Sequence, residues 1–131
     1  MDALALGTTL AQCGLAIALL SDTRQGEQVS WIATGARCVH GVSVGIPLIA
    51  DPFSAALALL VPVLASCALL YSWHYFAQLR GRFHALILLV VAGMEGFVLS
   101  GNVFDMFVFF ELMGVVAYAL TGLKIEDSTA V

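Results

Sequence analysis

The stretch Val103-Phe104-Asp105-Met106-Phe107-Val108-Phe109-Phe110-Glu111-Leu112-Met113-Gly114-Val115-Val116-Ala117-Tyr118-Ala119-Leu120 decides the fold. Between residues 103 and 123 its only charged side chains are Asp105 and Glu111, and Lys124, Glu126 and Asp127 follow at once. A helix needs about 20 mainly apolar residues, rising about 1.5 Å each, to cross the hydrocarbon of a bilayer. Residues 103–123 therefore predict a transmembrane helix.

Working toward the N-terminus, Gly101-Asn102 reads as a tight turn and residues 83–100 as a second span. In that span Gly93 and Gly96 allow close helix approach. A link over residues 72–82 carries Arg80 and Arg82. Before it lies a span over residues 53–73, opened by Asp51-Pro52. Asp is a good N-cap because its carboxylate accepts a backbone N–H of the first turn, and Pro at the first helical position sacrifices no hydrogen bond. Pro62 is expected to kink this span. Tyr71, Trp73 and Tyr75 suit an aromatic belt at its end.

The polar stretch 21–51 holds the runs Val29-Ser30-Trp31-Ile32 and Val42-Ser43-Val44, which predict a hairpin or an ordered extramembrane loop. Residues 3–20 form the remaining apolar run. Met1-Asp2 lacks the positive flank of a signal peptide, so this run reads as another helix.

The fold class is thus an all-α integral membrane protein with about four transmembrane helices, forming a single membrane domain over residues 1–131. Composition agrees: 61% of residues are hydrophobic, and there are five Lys/Arg and nine Asp/Glu. So little charge argues against a disordered chain, a nucleic-acid binder and an ordinary soluble enzyme. Cys13, Cys38 and Cys67 are odd in number and lack metal-site spacing, which predicts packed thiols and neither a cofactor nor a metal. Counting Lys and Arg near the span ends puts both termini and the 72–82 link inside, with the 21–51 loop and the 101–102 turn outside.

Three carboxylates fall inside the spans: Glu95, Asp105 and Glu111. A charged residue at the centre of a membrane helix costs roughly 2.5–3.5 kcal/mol, and such residues normally face a bundle interior or a wet cavity. No Lys or Arg lies within any predicted span, so each acid is either protonated or paired with a cation from elsewhere. At about 1.5 Å per residue, Glu111 is about 12 Å and Glu95 about 8 Å from the outer side. The two acids fall at similar depth on neighbouring helices. Facing each other, they would form an intramembrane acid pair of the kind that marks proton relays. Asp105, near the outer surface, suits an interfacial or capping role. Near the inner side, His84 and His74 are interfacial side chains that can pass protons near neutral pH.

Gly101 to Leu112, followed by Ala117-Tyr118-Ala119-Leu120, resembles the antiporter-like membrane subunits. These are the large pumping subunits of respiratory complex I, the D-type subunit of multi-subunit sodium/proton antiporters, and membrane-bound hydrogenase relatives. Val44-Gly45-Ile46-Pro47 through Asp51-Pro52-Phe53-Ser54-Ala55 is similar to the family as well, as are Tyr71-Ser72 and Ala92-Gly93-Met94, in the same order.

The resemblance implies that the four spans correspond to the family's second to fifth helices. It also implies that Glu111 is the proton-binding glutamate that works with a lysine on a later helix. That lysine has no counterpart within residues 1–131. Relative to many members, Asn102 and Asp105 stand in reversed places, and Glu95 stands where a neutral residue is common.

The expected function is a subunit, or part of one, in a proton- or cation-translocating complex of the NADH-quinone oxidoreductase, antiporter or hydrogenase type. It would hold no redox centre itself. Its expected partners are the lipid bilayer and other membrane subunits, with no nucleic acid, and its expected location is a bacterial-type inner membrane. Glu111 would bind the proton, Glu95 and Asp105 would line the outer access, and His84 would serve the inner side. The alternative is a small structural or assembly subunit without transport activity.

Overall fold

The computed structural model describes residues 2–32, 38–39, 42–43, 45–72 and 80–126. Four helices carry the apolar segments: α1 (Asp2–Thr23), α2 (Pro52–Ser72), α3 (Arg80–Leu99) and α4 (Val103–Glu126). All four are long and apolar enough to cross a membrane. α1 packs on α2, α2 on α3 and α3 on α4, and α1 also touches α3. Many large apolar side chains, among them Leu4, Phe53 and Phe107, are exposed on the outside of the helix packing. In water that would be a defect. In lipid it is the expected surface, since acyl tails are as apolar as leucine.

Because lipid offers no hydrophobic drive between helices, close packing of small side chains must hold them together. The α1–α2 seam fits that need. Ala5, Thr9 and Ala16 are buried on α1, and Ala55, Ala58, Pro62, Ala65, Ser66, Leu69 and Ser72 on α2. Their spacing of three and four residues keeps each set on one face. Helical hydroxyls are satisfied locally: Thr8 donates to Ala5 O (2.7 Å) and Thr9 to Leu6 O (3.0 Å). The Ser66 hydroxyl lies 2.7 Å from Pro62 O and 3.0 Å from Thr9 Oγ1, which ties α2 to α1 beside the proline. α2 continues through Pro62 as one helix.

Polar residues before α2 form the predicted start signal. Asp51 Oδ1 accepts the Ser54 N–H (2.6 Å), Ser54 Oγ accepts the Asp51 N–H (2.9 Å), and Asp51 O accepts the Ala55 N–H (2.9 Å). The Ser54 N–H and hydroxyl hold the Asp51 carboxyl below the usual Asp range. A pKa lowered by folding gives stability that is fully present above the unfolded value, about 3.9, and is lost as pH falls through the lower folded value. Asp51→Asn should therefore be less stable than the parent at neutral pH, and the gap should close on acidification through that window. Thermal unfolding across pH checks this.

Between α1 and α2 two short antiparallel ladders form. β1 (Gln28–Ile32) pairs with β4 (Ile46–Ala50), running from Gln28 opposite Ala50 to Ile32 opposite Ile46. β2 (Cys38–Val39) pairs with β3 (Val42–Ser43). The hairpin expectation holds, but its partners differ from the two runs singled out by composition. Val29–Ile32 pairs with the segment leading into α2, and Val42-Ser43 closes a smaller ladder inside the loop.

β4 also docks on the α3–α4 turn. Pro47 O accepts the Gly101 N–H (2.9 Å), and Leu48 bridges to Ser100. A Cβ at Gly101 would stand 2.6 Å from Ile49 Cδ1, so the Ile49 side chain would have to move to admit one. The sheet, the start of α2 and the α3–α4 turn therefore share one end of the bundle.

Cys13 is half-buried and Cys67 exposed, both as free thiols, so Cys67 is not the packed core thiol expected from sequence. It lies on the side of α2 away from the α1 seam. His74, Trp73, Tyr75 and Val44 lie outside the described residues.

Candidate functional site

The α3–α4 contact orients the acids. α3 approaches α4 at Gly93 and Gly96: a Cβ on Gly93 would lie 2.9 Å from Met113 Cγ, and one on Gly96 would overlap the Phe109 ring. On α4 the same face buries Asp105 and Val116. A helix turns about 100° per residue. Glu111, two residues past Phe109, is thus turned about 200° from this contact, and it is exposed on the opposite face. Phe104, Phe107, Val108, Val115 and Tyr118 surround it there, all exposed. A carboxylate in the middle of an apolar, lipid-depth stripe is costly unless another surface covers it.

Glu95, two residues past Gly93, also turns away from α4. It faces α1 and α2, where it lines a recess of about 160 Å³ with Gln12, Leu15, Ala16, Leu19, Ala58 and Leu99. Glu95 and Glu111 therefore do not face each other. Similar depth followed from helical rise, but the directions are set by the glycine contacts.

Asp105 is buried, 8% exposed, on the α3 side of α4. Its Oδ2 has no hydrogen-bond partner among the described residues. It does not cap the helix. Asn102 does, its Oδ1 accepting the Phe104 N–H (3.0 Å) and its carbonyl the Met106 N–H (3.0 Å). Asn102 has the non-helical position a cap needs, whereas Asp105 already lies inside the first turn. Around this end of the bundle, Asp51, Ser54, Ser100, Asn102 and Met106 help line a cleft of about 360 Å³.

His84 lies near the opposite end, in the first turns of α3. It is buried, with the Phe83 ring edge-on at 5.7 Å and 89°. The structure thus keeps Glu111, Glu95, Asp105 and His84 in separate places. Among the described residues, no three His, Cys, Asp or Glu side chains gather to hold a metal. Sequence reasoning passed over Gln12, although an amide in the middle of the apolar run 3–20 was the available signal.

Fold and acids define an α-helical integral membrane protein that leaves a carboxylate-bearing helix face uncovered by its own described residues. No family model matches the chain. Sequence comparison nevertheless finds NAD(P)H-quinone oxidoreductase subunit 5 of Zygnema circumcarinatum chloroplasts, 32% identical over 126 residues, 91% of this chain and 17% of that protein. NADH-quinone oxidoreductase subunit N of Desulforudis audaxviator is 38% identical over 80 residues, 58% of this chain and 16% of that protein. A probable K(+)/H(+) antiporter subunit of Rhizobium meliloti is 41% identical over 76 residues, 58% of this chain and 14% of that protein. Among solved structures, a chain of the Mrp complex from Dietzia sp. DQ12-45-1b matches with a TM-score of 0.74 and 28% identity, over 90% of this chain and 21% of that one. The chain belongs to the antiporter-like membrane subunits and spans about a sixth of the length of the curated relatives it matches.

Proposed function

We propose that this chain is part of an ion-translocating subunit in a complex of the quinone oxidoreductase or antiporter type, with Glu111 as its intramembrane proton site. The observation that supports this reading is the placement of Glu111: an ionisable group at the centre of an exposed apolar stripe on a membrane-spanning helix. Intramembrane ionisable residues that are not structural glue mark ion pathways. Here the glue role lacks support, because Glu111 faces away from α3.

The covering surface brings a cation. When that cation approaches, Glu111 favours its charged form and releases a proton; when it withdraws, the neutral form is favoured and a proton is taken up. Movement of the cation in a neighbouring element thereby couples to protonation at Glu111. Asp105 and the polar outer cleft serve the outer access, and His84 serves the inner side. Glu95 turns toward α1 and lies off this route. The membrane is a bacterial-type cell membrane, with both termini and the α2–α3 link on the inner side.

Glu111→Gln keeps the size of the side chain and removes the titration. In the assembled complex, proton uptake by membrane vesicles should fall to background while native gels show unchanged assembly. Loss of assembly would instead favour a purely structural subunit, and unchanged transport would remove Glu111 from the pathway.

A further inference from the structure

The recess against α1 is the feature the proposed function leaves unused. It is lined by five apolar side chains and two polar ones, Gln12 on α1 and Glu95 on α3. The Gln12 amide oxygen is buried and accepts no hydrogen bond among the described residues. Leaving a buried amide oxygen without a hydrogen bond is unfavourable, so a donor is expected beside it. A neutral carboxyl is a donor, and so is water. The volume of about 160 Å³ admits several waters, each occupying about 30 Å³ in the liquid. Two polar groups converging on a roomy pocket meet the conditions for bound water, whereas an all-apolar cavity stays dry.

Among the described residues, no Lys, Arg or His lines this pocket. α1 carries Asp2 and Asp22 at its two ends and the half-buried Cys13 beside Gln12. α2 contributes Ala58 and has no charged residue. α4 turns Asp105 toward α3 nearer the outer end and Glu111 away from it. On α3 itself Arg80, Arg82 and His84 lie at the far end of the helix.

We propose that this recess is a hydrated proton-binding site, in which the Glu95 carboxyl exchanges a proton with water held against the Gln12 amide oxygen. It is a second intramembrane proton site, on the opposite side of α3 from the α4 contact and independent of Glu111.

Infrared difference spectra of the assembled complex, recorded between acid and alkaline pH, test this. A carboxylic-acid carbonyl band should be present in the parent and absent in Glu95→Gln. It should shift promptly on exchange into D2O, because water reaches it. Gln12→Met keeps the length of the side chain without the amide, and should move both the frequency and the pH midpoint of the band. Gln12→Asn keeps the amide and should stay close to the parent. The band should persist in Glu111→Gln whatever that change does to transport, so the two sites fail separately. A spectrum unchanged by Glu95→Gln, a band that does not exchange in D2O, or a band unmoved by Gln12→Met would overturn the proposal.

Discussion

Replacing Gly96 by leucine is expected to force α3 and α4 apart. Even a single Cβ at this position overlaps the Phe109 ring, and the same helix pair is also close at Gly93, where a Cβ would lie 2.9 Å from Met113 Cγ. Overpacking a tight interface costs about 1–3 kcal/mol. In lipid no hydrophobic drive compensates, because close contact is what holds these helices together. Gly96→Ala should show the lower part of that range and Gly96→Leu the upper part. Phe109→Leu, which shortens the opposing side chain, should recover part of the loss. Unfolding in mixed detergent, followed by helical circular dichroism, gives the comparison. Equal stability of Gly96→Leu and the parent would mean that α3 and α4 do not pack through this face.

The second large effect concerns the sign of the charge opposite Glu111. If the surface covering α4 carries a cation, Glu111→Lys places two positive charges together in a low-dielectric contact. Glutamine resembles the neutral side chain from which the cation withdraws in the proposed cycle, whereas a fixed positive charge repels the cation in either state. Glu111→Lys should therefore prevent assembly of the complex, whereas Glu111→Gln should permit it. Native gel electrophoresis of the two variants side by side reads the difference. Assembly of both to the same extent would show that no cation faces this position.

Much of this architecture is written in local sequence. Four runs of about 20 apolar residues are enough to specify four spans, because each must satisfy its own backbone hydrogen bonds inside lipid. Asp51-Pro52 is equally local: the cap forms between residues three apart, Asp51 and Ser54.

What composition does not carry is direction around the helix axis. Glu95 and Glu111 point to different sides, because the Gly93–Met113 and Gly96–Phe109 contacts set how α3 and α4 are rotated. Those glycines were recognisable as points of close approach. A turn of about 100° per residue, followed from them to Glu95, already points it away from α4. The strand register depends on still less local information. Val29–Ile32 pairs with Ile46–Ala50, and β4 is itself held by Gly101 and Ser100 from a turn far along the chain. Cys67 sits in an apolar run and reads as core, but in a membrane helix an apolar run has a lipid-facing side as well.

Central to the proposed function is that the Glu111 face of α4 lies within the membrane and is covered by protein. A spin label at Glu111→Cys, with Cys13, Cys38 and Cys67 replaced by alanine, measures this in the assembled complex. Collision with a water-soluble paramagnetic reagent and with lipid-soluble oxygen should both be low, as for a site enclosed between helices. Free collision with the water-soluble reagent, at the level of a label on an extramembrane loop, would contradict it.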